Sequence, residues 1–398
     1  MKSRKLSRTR RRAAILGAAA TSVVAGVALL PNWSAGASVV DDPTVDAKTK
    51  ATFQRLADAV FTDRTDALVA GGQKNGKKPL TDGFSGDVRM SSGQARKEDA
   101  ALSSLDRRKE RLAKLGEKYS KGSTTVTLDA TSVKGRKAKV AVTETTTLTY
   151  QKVRGDEPNT TGFQAHHELT FTADRNGDWQ LTAVRDTDEG YLAVNQPAEP
   201  TVEPMTAATP TATTAATTTP SAPKASTTYP GPADAKNFTA SGLDYQAMAA
   251  YAKQYWSSYN TAYPDFNGAG AGGDCTNFVS QALKAGGWKH VPGYVYDYTK
   301  WFGNADIQSD SFVGVNEWSW FAQNSKRTTS LANVYQLDVG DVLQVDFDKD
   351  GSKDHTMIVT SRSQGVPYVT YHSTNTYSRS VASIIASYPT AAYYAYRT

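Results

Sequence analysis

Eight prolines from Pro197 to Pro232 sit among threonines and alanines with few charges. Each fixes its own φ near about −65° and removes a backbone donor, so no helix or central strand runs through this stretch. Residues 196–236 therefore read as an extended, stiff Pro/Thr/Ala-rich linker that buries too little apolar surface to fold, and whose threonines offer sites for O-linked sugars. The rest of the chain falls into two parts, 41–195 and 237–398, each long enough for one core.

The N-terminus is organised differently. Lys2, Arg4, Lys5 and Arg10-Arg11-Arg12 precede an apolar run from Ala13 to Leu30, and Ala35-Gly36-Ala37 supplies a small-residue cleavage site. Residues 1–37 read as a secretory signal peptide cut after Ala37, since Gly17, Gly26 and Pro31 interrupt the run that a permanent anchor needs. The consecutive arginines leave both the general and the twin-arginine export routes open. Removing the segment takes seven of the 45 basic residues and none of the 39 acidic ones, leaving 38 basic against 39 acidic. The pI near 9.0 thus belongs to the leader and gives no argument for a nucleic-acid partner. Once cleaved, the chain is expected to make no stable membrane insertion.

The first domain pairs helices with strands. Val45 to Leu68 and Ala95 to Tyr119 have helical apolar spacing, and Thr124–Val133, Lys137–Val153, Phe163–Ala173 and Trp179–Asp186 are rich in Thr, Val and aromatics. Asn176-Gly177 joins the last two as a hairpin. Helices first and a meander after predict an α+β layer, and the element order resembles the cone-shaped NTF2-like fold. His166-His167 do not suggest a metal site, because neighbouring strand residues point to opposite faces.

The second domain holds the single cysteine of the chain, in Gly272-Gly273-Asp274-Cys275-Thr276-Asn277-Phe278-Val279-Ser280-Gln281. The glycines permit a sharp turn, Asp274 is a candidate N-cap, and Phe278, Val279, Ala282 and Leu283 follow Cys275 at helical spacing. In the first turn of a helix the dipole and unpaired N–H groups favour thiolate over thiol, and the Cys275 N–H is a natural oxyanion donor. The plainer alternative is a small buried hydrophobe. An unpaired cysteine outside the cell is otherwise a crosslink or a reactive thiol.

Three strands follow, at Val339–Phe347, Asp354–Thr360 and Tyr368–His372. With an even hairpin loop at Ser363 to Val366, His372 would lie opposite Met357 on the face that carries His355; an odd loop would turn it away. The turn between the first two strands sets Asp346, Asp348, Asp350, Ser352 and Asp354 at EF-hand-like alternate positions, with Gly351 sixth. The twelfth position is Met357 rather than a bidentate glutamate, so a structural calcium and a metal-free acidic turn both stay open. Trp301, Trp318 and Trp320 suit either a groove or ordinary packing.

Asp274-Cys275-Thr276-Asn277-Phe278-Val279-Ser280-Gln281, then Gly340-Asp341, Asp354-His355 and Tyr371-His372-Ser373-Thr374, together resemble the "putative amidase domain" of secreted bacterial proteins, over approximately Leu243 to Arg397. That family is related to the NlpC-type and CHAP cell-wall cysteine peptidases. The resemblance implies a papain-like α+β domain with a nucleophile helix on an antiparallel sheet. It implies further that Cys275 attacks, His355 is the base and His372 orients it, with Asn375 as the alternative third residue. The expected activity is that of a secreted cysteine amidase or peptidase (a hydrolase), cutting a peptide or peptidoglycan stem-peptide substrate with no required cofactor. The linker would give reach towards the cell wall. No carboxylate pair marks a glycosidase. The alternative is a non-catalytic module that binds cell-wall polymer or protein.

Overall fold

The computed structural model describes residues 39–71, 88–188, 191–197, 219–231, 236–239, 241–267 and 273–398. The expected signal peptide and linker residues 198–218 and 232–235 lie outside them. Asp46 caps helix α1 (Ala47–Leu68), its carboxylate accepting the Thr49 N–H at 2.9 Å. Ser91 does the same for α2 (Ser92–Lys114). The apolar stripe of α1, Phe53, Leu56, Ala57, Val60 and Phe61, packs against inward residues of a sheet such as Val140, Leu169 and Phe171. This sheet holds β2 (Tyr119–Lys134), β3 (Lys137–Tyr150), β4 (Thr160–Ala173) and β5 (Trp179–Asp186) as an antiparallel meander. The strict alternation of burial along β3 is what a half-covered strand requires. A three-residue strand β1 (Val88–Met90), too short to leave a periodic signal, adds to β5 in parallel.

In the C-terminal part, α3 (Tyr245–Tyr255), α4 (Cys275–Ala285), α5 (Asp310–Val313) and α6 (Val315–Asn324) precede most of the strands. The strands are β6 (Thr329–Leu331), β7 (Val342–Asp346), β8 (His355–Ser363), β9 (Val366–Tyr371), β10 (Thr376–Ser380) and β11 (Ala392–Arg397), with α7 (Val381–Ser387) before the last. Their spatial order is β10-β9-β8-β7-β11-β6, antiparallel throughout. One face of this sheet (Val342, Ile358, Tyr394, Tyr396) is covered by α3, α4 and α6, with Trp301 and Trp318 fully inside that core. The other (Leu343, Val345, Met357, Val359, Tyr371) packs on α7 and Tyr191. These two tryptophans are packing residues.

The two parts share one sheet. β10 pairs with β9 on one edge and with β4 on the other, through Thr376↔Phe163 and Tyr377↔Gly162, and Ser38–Thr398 forms a single compact unit. Gly162 permits this join: a Cβ there would lie 2.6 Å from the Tyr377 ring and 2.8 Å from the Thr146 carbonyl oxygen. Residues 219–231 of the linker lie along the C-terminal part, with Ser226 bridged to Asn333 and the Ala225 N–H donating to Tyr393 O at 2.7 Å. The whole is an α+β protein built on one large, mostly antiparallel sheet.

His166 and His167 take opposite faces, as alternation demands. His166 faces Asp188, whereas His167 is buried with Nδ1 2.8 Å from Asp186 and Nε2 3.1 Å from Glu144, stacked on Phe61. Burial opposes a charge on His167, but the two carboxylates outweigh it and raise its pKa to about 9. A folded pKa above the unfolded value of about 6.5 means the stabilisation is fully present below that pH and is lost as pH climbs through about 9. The unfolding midpoint should therefore fall between pH 7 and 9.5. In His167→Gln that slope should flatten, with a loss of about 3–5 kcal/mol at neutral pH for leaving the carboxylates unpaired; thermal melts across pH check both.

Candidate functional site

Cys275 is the first residue of α4, at the end of a turn in which Gly273 has φ +86°. Asp274 does not cap the helix as the sequence suggested. Its Oδ1 accepts from Asn277 Nδ2 at 2.8 Å and the Phe266 N–H at 3.3 Å, and its Oδ2 lies 2.6 Å from His372 Nδ1. The other nitrogen of His372, Nε2, donates to the Tyr255 carbonyl at 2.7 Å. The ring stacks on Phe278, one turn after the cysteine, with centroids 4.0 Å apart, and Tyr259 packs beside it at 4.5 Å. Asn277 is thus a buried brace of Asp274, as Gln281 is for Tyr251.

The thiol itself is only 4% exposed. Its Sγ sits 3.7 Å from Thr276 Oγ1, and Thr276 Oγ1 in turn lies 2.8 Å from Thr356 Oγ1, which ties α4 to β8. The expectation of a lowered pKa is overturned: burial pushes the Cys275 thiol up, helped by the negative Asp274, and the hydrogen bonds at Thr356 and Thr276 only partly offset it. The helix N-terminus does not compensate for removal of the thiolate from water.

His355 stands on the other side of the sheet. It pairs with Val345 on the face shared with Met357, stacked on Tyr191 at 4.6 Å and edge-on to Tyr371 at 5.0 Å. Its Nε2 is buried without a partner, and burial with the nearby positive Arg379 pushes its pKa down to about 3, so the ring is neutral. The expected meeting of His355 and His372 fails because of one residue. The hairpin begins in the even register, Ser363↔Val366 to Ser361↔Tyr368, but a bulge at Thr360 shifts it to Val359↔Val369 and Ile358↔Thr370. Continuing that register sets Tyr371 opposite Met357 and His372 opposite Thr356, on the face of α4. A one-residue slip sends every later side chain to the opposite face.

Asn375 follows a turn in which Ser373 and Thr374 have φ +65° and +59°, and it accepts the Tyr259 hydroxyl at 2.9 Å. The sheet therefore gathers Cys275, His372 and, through Tyr259, Asn375 on one side, and leaves His355 on the other. Sequence reasoning missed Asp274 as the partner of His372, although its place next to the only cysteine was a signal.

In the acidic turn, carboxylate oxygens of Asp346, Asp348 and Asp354 come within 4.8 Å of one another. Asp350 instead accepts the Ser352 N–H at 2.7 Å, and the Ser352 hydroxyl accepts from Asn316, so these two stand apart from the trio. Burial, and repulsion within the group, raise Asp354 to about 6. Among the described residues no helix is long and apolar enough to cross a membrane.

Residues 242–396 match the family model described as "Putative amidase domain". Two Bacillus subtilis (strain 168) proteins align with part of the chain. "Uncharacterized protein YhbB" is 33% identical over 128 residues, 31% of this chain and 39% of that protein. "Uncharacterized protein YjcM" is 32% identical over 137 residues, 34% of this chain and 32% of that protein. The chain thus spans less than two fifths of the length of either. The crystal structure of the intermembrane space region of chloroplast protein ARC6 aligns over 36% of this chain and 98% of its own, at 17% identity and a TM-score of 0.23, too slight a likeness to argue from. The likeness to the family described as "Putative amidase domain" is carried by the C-terminal region, residues 242–396.

Proposed function

We propose that the C-terminal region is a papain-like cysteine amidase in which Cys275 is the nucleophile and His372, oriented by Asp274, is the imidazole. The observation that carries this reading is the 2.6 Å contact between His372 and Asp274, the residue directly before the only thiol of the chain. The imidazole takes the thiol proton as sulfur attacks the amide carbonyl and the C–S bond forms. The C–N bond then breaks as the imidazolium gives that proton to the leaving amine; water, deprotonated by the imidazole, attacks the thioester, and the C–S bond breaks to release the acid as the proton returns to sulfur. His372 Nε2 now donates to Tyr255 O, so it must exchange that carbonyl for the thiol or the leaving nitrogen when substrate enters. His355 has no part in this scheme. The family match and the leader-like N-terminus support a secreted, cell-wall-associated enzyme acting on an amide of wall peptides.

Incubation with peptidoglycan fragments and simple peptides, read by mass spectrometry, tests the reaction as a gain of water at one amide bond. Cys275→Ala should abolish turnover and His372→Ala should lower it about 10²–10⁴-fold. His355→Ala, if folded, should keep most activity. A folded His355→Ala variant as inactive as His372→Ala would return the role of base to His355. Glycan cleavage, or activity unchanged in Cys275→Ala, would sink the proposal. Assays run with and without added calcium show whether a cation at Asp346, Asp348 and Asp354 stiffens the turn before β8.

A second reading, a non-catalytic wall-binding module, is favoured by the buried thiol with its raised pKa. Iodoacetamide separates the two. The resting thiol should alkylate more slowly at pH 8 than in the unfolded chain, and bound wall peptide should speed it if substrate opens the site. A thiol that reacts only after denaturation, with no amide turnover, leaves the binding module.

A further inference from the structure

The sheet that runs through both parts of the chain has two faces, and only one of them is covered from end to end. α1, α2 and α7 pack on the face that carries Val140, Phe163 and Tyr371. The opposite face carries α3, α4 and α6 over the C-terminal strands, but over β2, β3 and β4 it stays open to water. There Ser123 and Thr125 are exposed, and Thr145, Thr147 and Gln164 are half-buried. Tyr377 of β10 shows that the helix-covered and open regions are one face. It pairs with Gly162 of β4, whose neighbour on β3 is Thr147, and its ring packs at 4.6 Å on Trp256, directly after α3.

Register lays the open side chains out in rows across the strands. One row is Ser123, Thr147, Gly162 and Tyr377, and the next is Thr125, Thr145 and Gln164. The second row ends at the candidate site. The Gln164 N–H donates to the Asn375 carbonyl at 3.0 Å, and Asn375 holds Tyr259, whose ring lies 4.5 Å from that of His372. Four strands about 4.8 Å apart make a platform roughly 14 Å wide that leads to the imidazole.

Neither row contains a charged side chain, although Asp, Glu, Lys and Arg make up 21% of the chain. The charges farther along the same face are paired with one another, His166 with Asp188 at 2.8 Å and Glu168 with Lys139 at 3.1 Å. A hydroxyl or a carboxamide both donates and accepts, and the Trp256–Tyr377 pair adds an apolar ring surface beside them. Such groups match a neutral, polyhydroxylated chain and give no purchase to a polyanion. We propose that this platform binds an uncharged glycan strand and so presents the amide to Cys275 on a peptide carried by sugar. The sugar hydroxyls meet Thr145, Thr147 and Gln164, and the apolar side of a sugar ring lies on Trp256 and Tyr377. This deepens the amidase reading and rests on it for what is cut, and it makes the first part of the chain a substrate-binding element.

Isothermal titration of the full chain with N-acetylated chitotetraose, a neutral sugar chain that carries no peptide, tests binding apart from hydrolysis. The sugar should bind saturably, with an affinity that hardly changes with salt, since no ion pair forms. Thr145→Val with Thr147→Val keeps shape and strand propensity and removes only hydroxyls; it should weaken binding about tenfold, as should Trp256→Ala. On peptide still attached to its glycan the valine variant should lose about tenfold in kcat/KM, a larger loss than on the free peptide. No saturable binding up to about 10 mM, unchanged binding in the valine variant, or binding that collapses with salt would overturn the proposal. So would equal losses of kcat/KM on free and glycan-attached peptide, because the face would then serve the peptide. Sugar binding by a chain that cuts no amide upholds the platform and sinks the amidase reading alone.

Discussion

Each residue of a β-strand serves only one face of its sheet, and the first two residues of β8 are spent on opposite tasks. Thr356 meets Thr276 at 2.8 Å and so seats the cysteine helix. His355 must then point the other way, into the layer of Tyr191, Tyr371 and Arg379. Any chemistry at Cys275 therefore draws on side chains that face α4, and the bulge at Thr360 is what brings His372 among them.

The layer behind the sheet shows why the two parts of the chain are one body. Arg379 donates to the Tyr371 hydroxyl at 2.9 Å, to Ser383 Oγ at 3.1 Å and to Ser387 Oγ at 2.6 Å, and lies over the Tyr191 ring. Tyr191 comes from the end of the N-terminal part, so the far wall of the C-terminal strands is completed by residues outside the family match. Arg108 of α2 likewise donates to the Gln196 carbonyl at 2.9 Å, fixing the chain as it leaves that part. Burying a guanidinium is costly unless several acceptors meet it; Arg379 has them, whereas Arg108 places one nitrogen on two carbonyls and keeps its Nε buried without a partner.

Much of the fold was legible in the residues. Strand β5 was read at its observed bounds and α1 within two residues, whereas the reading of α2 ran on to Tyr119, which is the first residue of β2. The cysteine at a helix start was equally plain from Gly273-Asp274 and the apolar spacing after it. The pairing within the candidate site was not legible: His372 meets Asp274 and not His355, and Asn375 meets Tyr259. A bulge leaves no periodic mark, since it inserts one residue into a strand whose composition looks regular.

What the sequence determined by itself is therefore local: a cysteine opening an amphipathic helix, strands with one apolar face, and carboxylates spaced through a turn, all set by period and turn chemistry. What only the tertiary structure decided is which of these faces meet. Pairing parity depends on a single bulge, the thiol pKa on how much water the packed sheet excludes, and the union of the two parts on whether β10 can approach Gly162. Each is a property of distant residues brought together, and no window of sequence contains it.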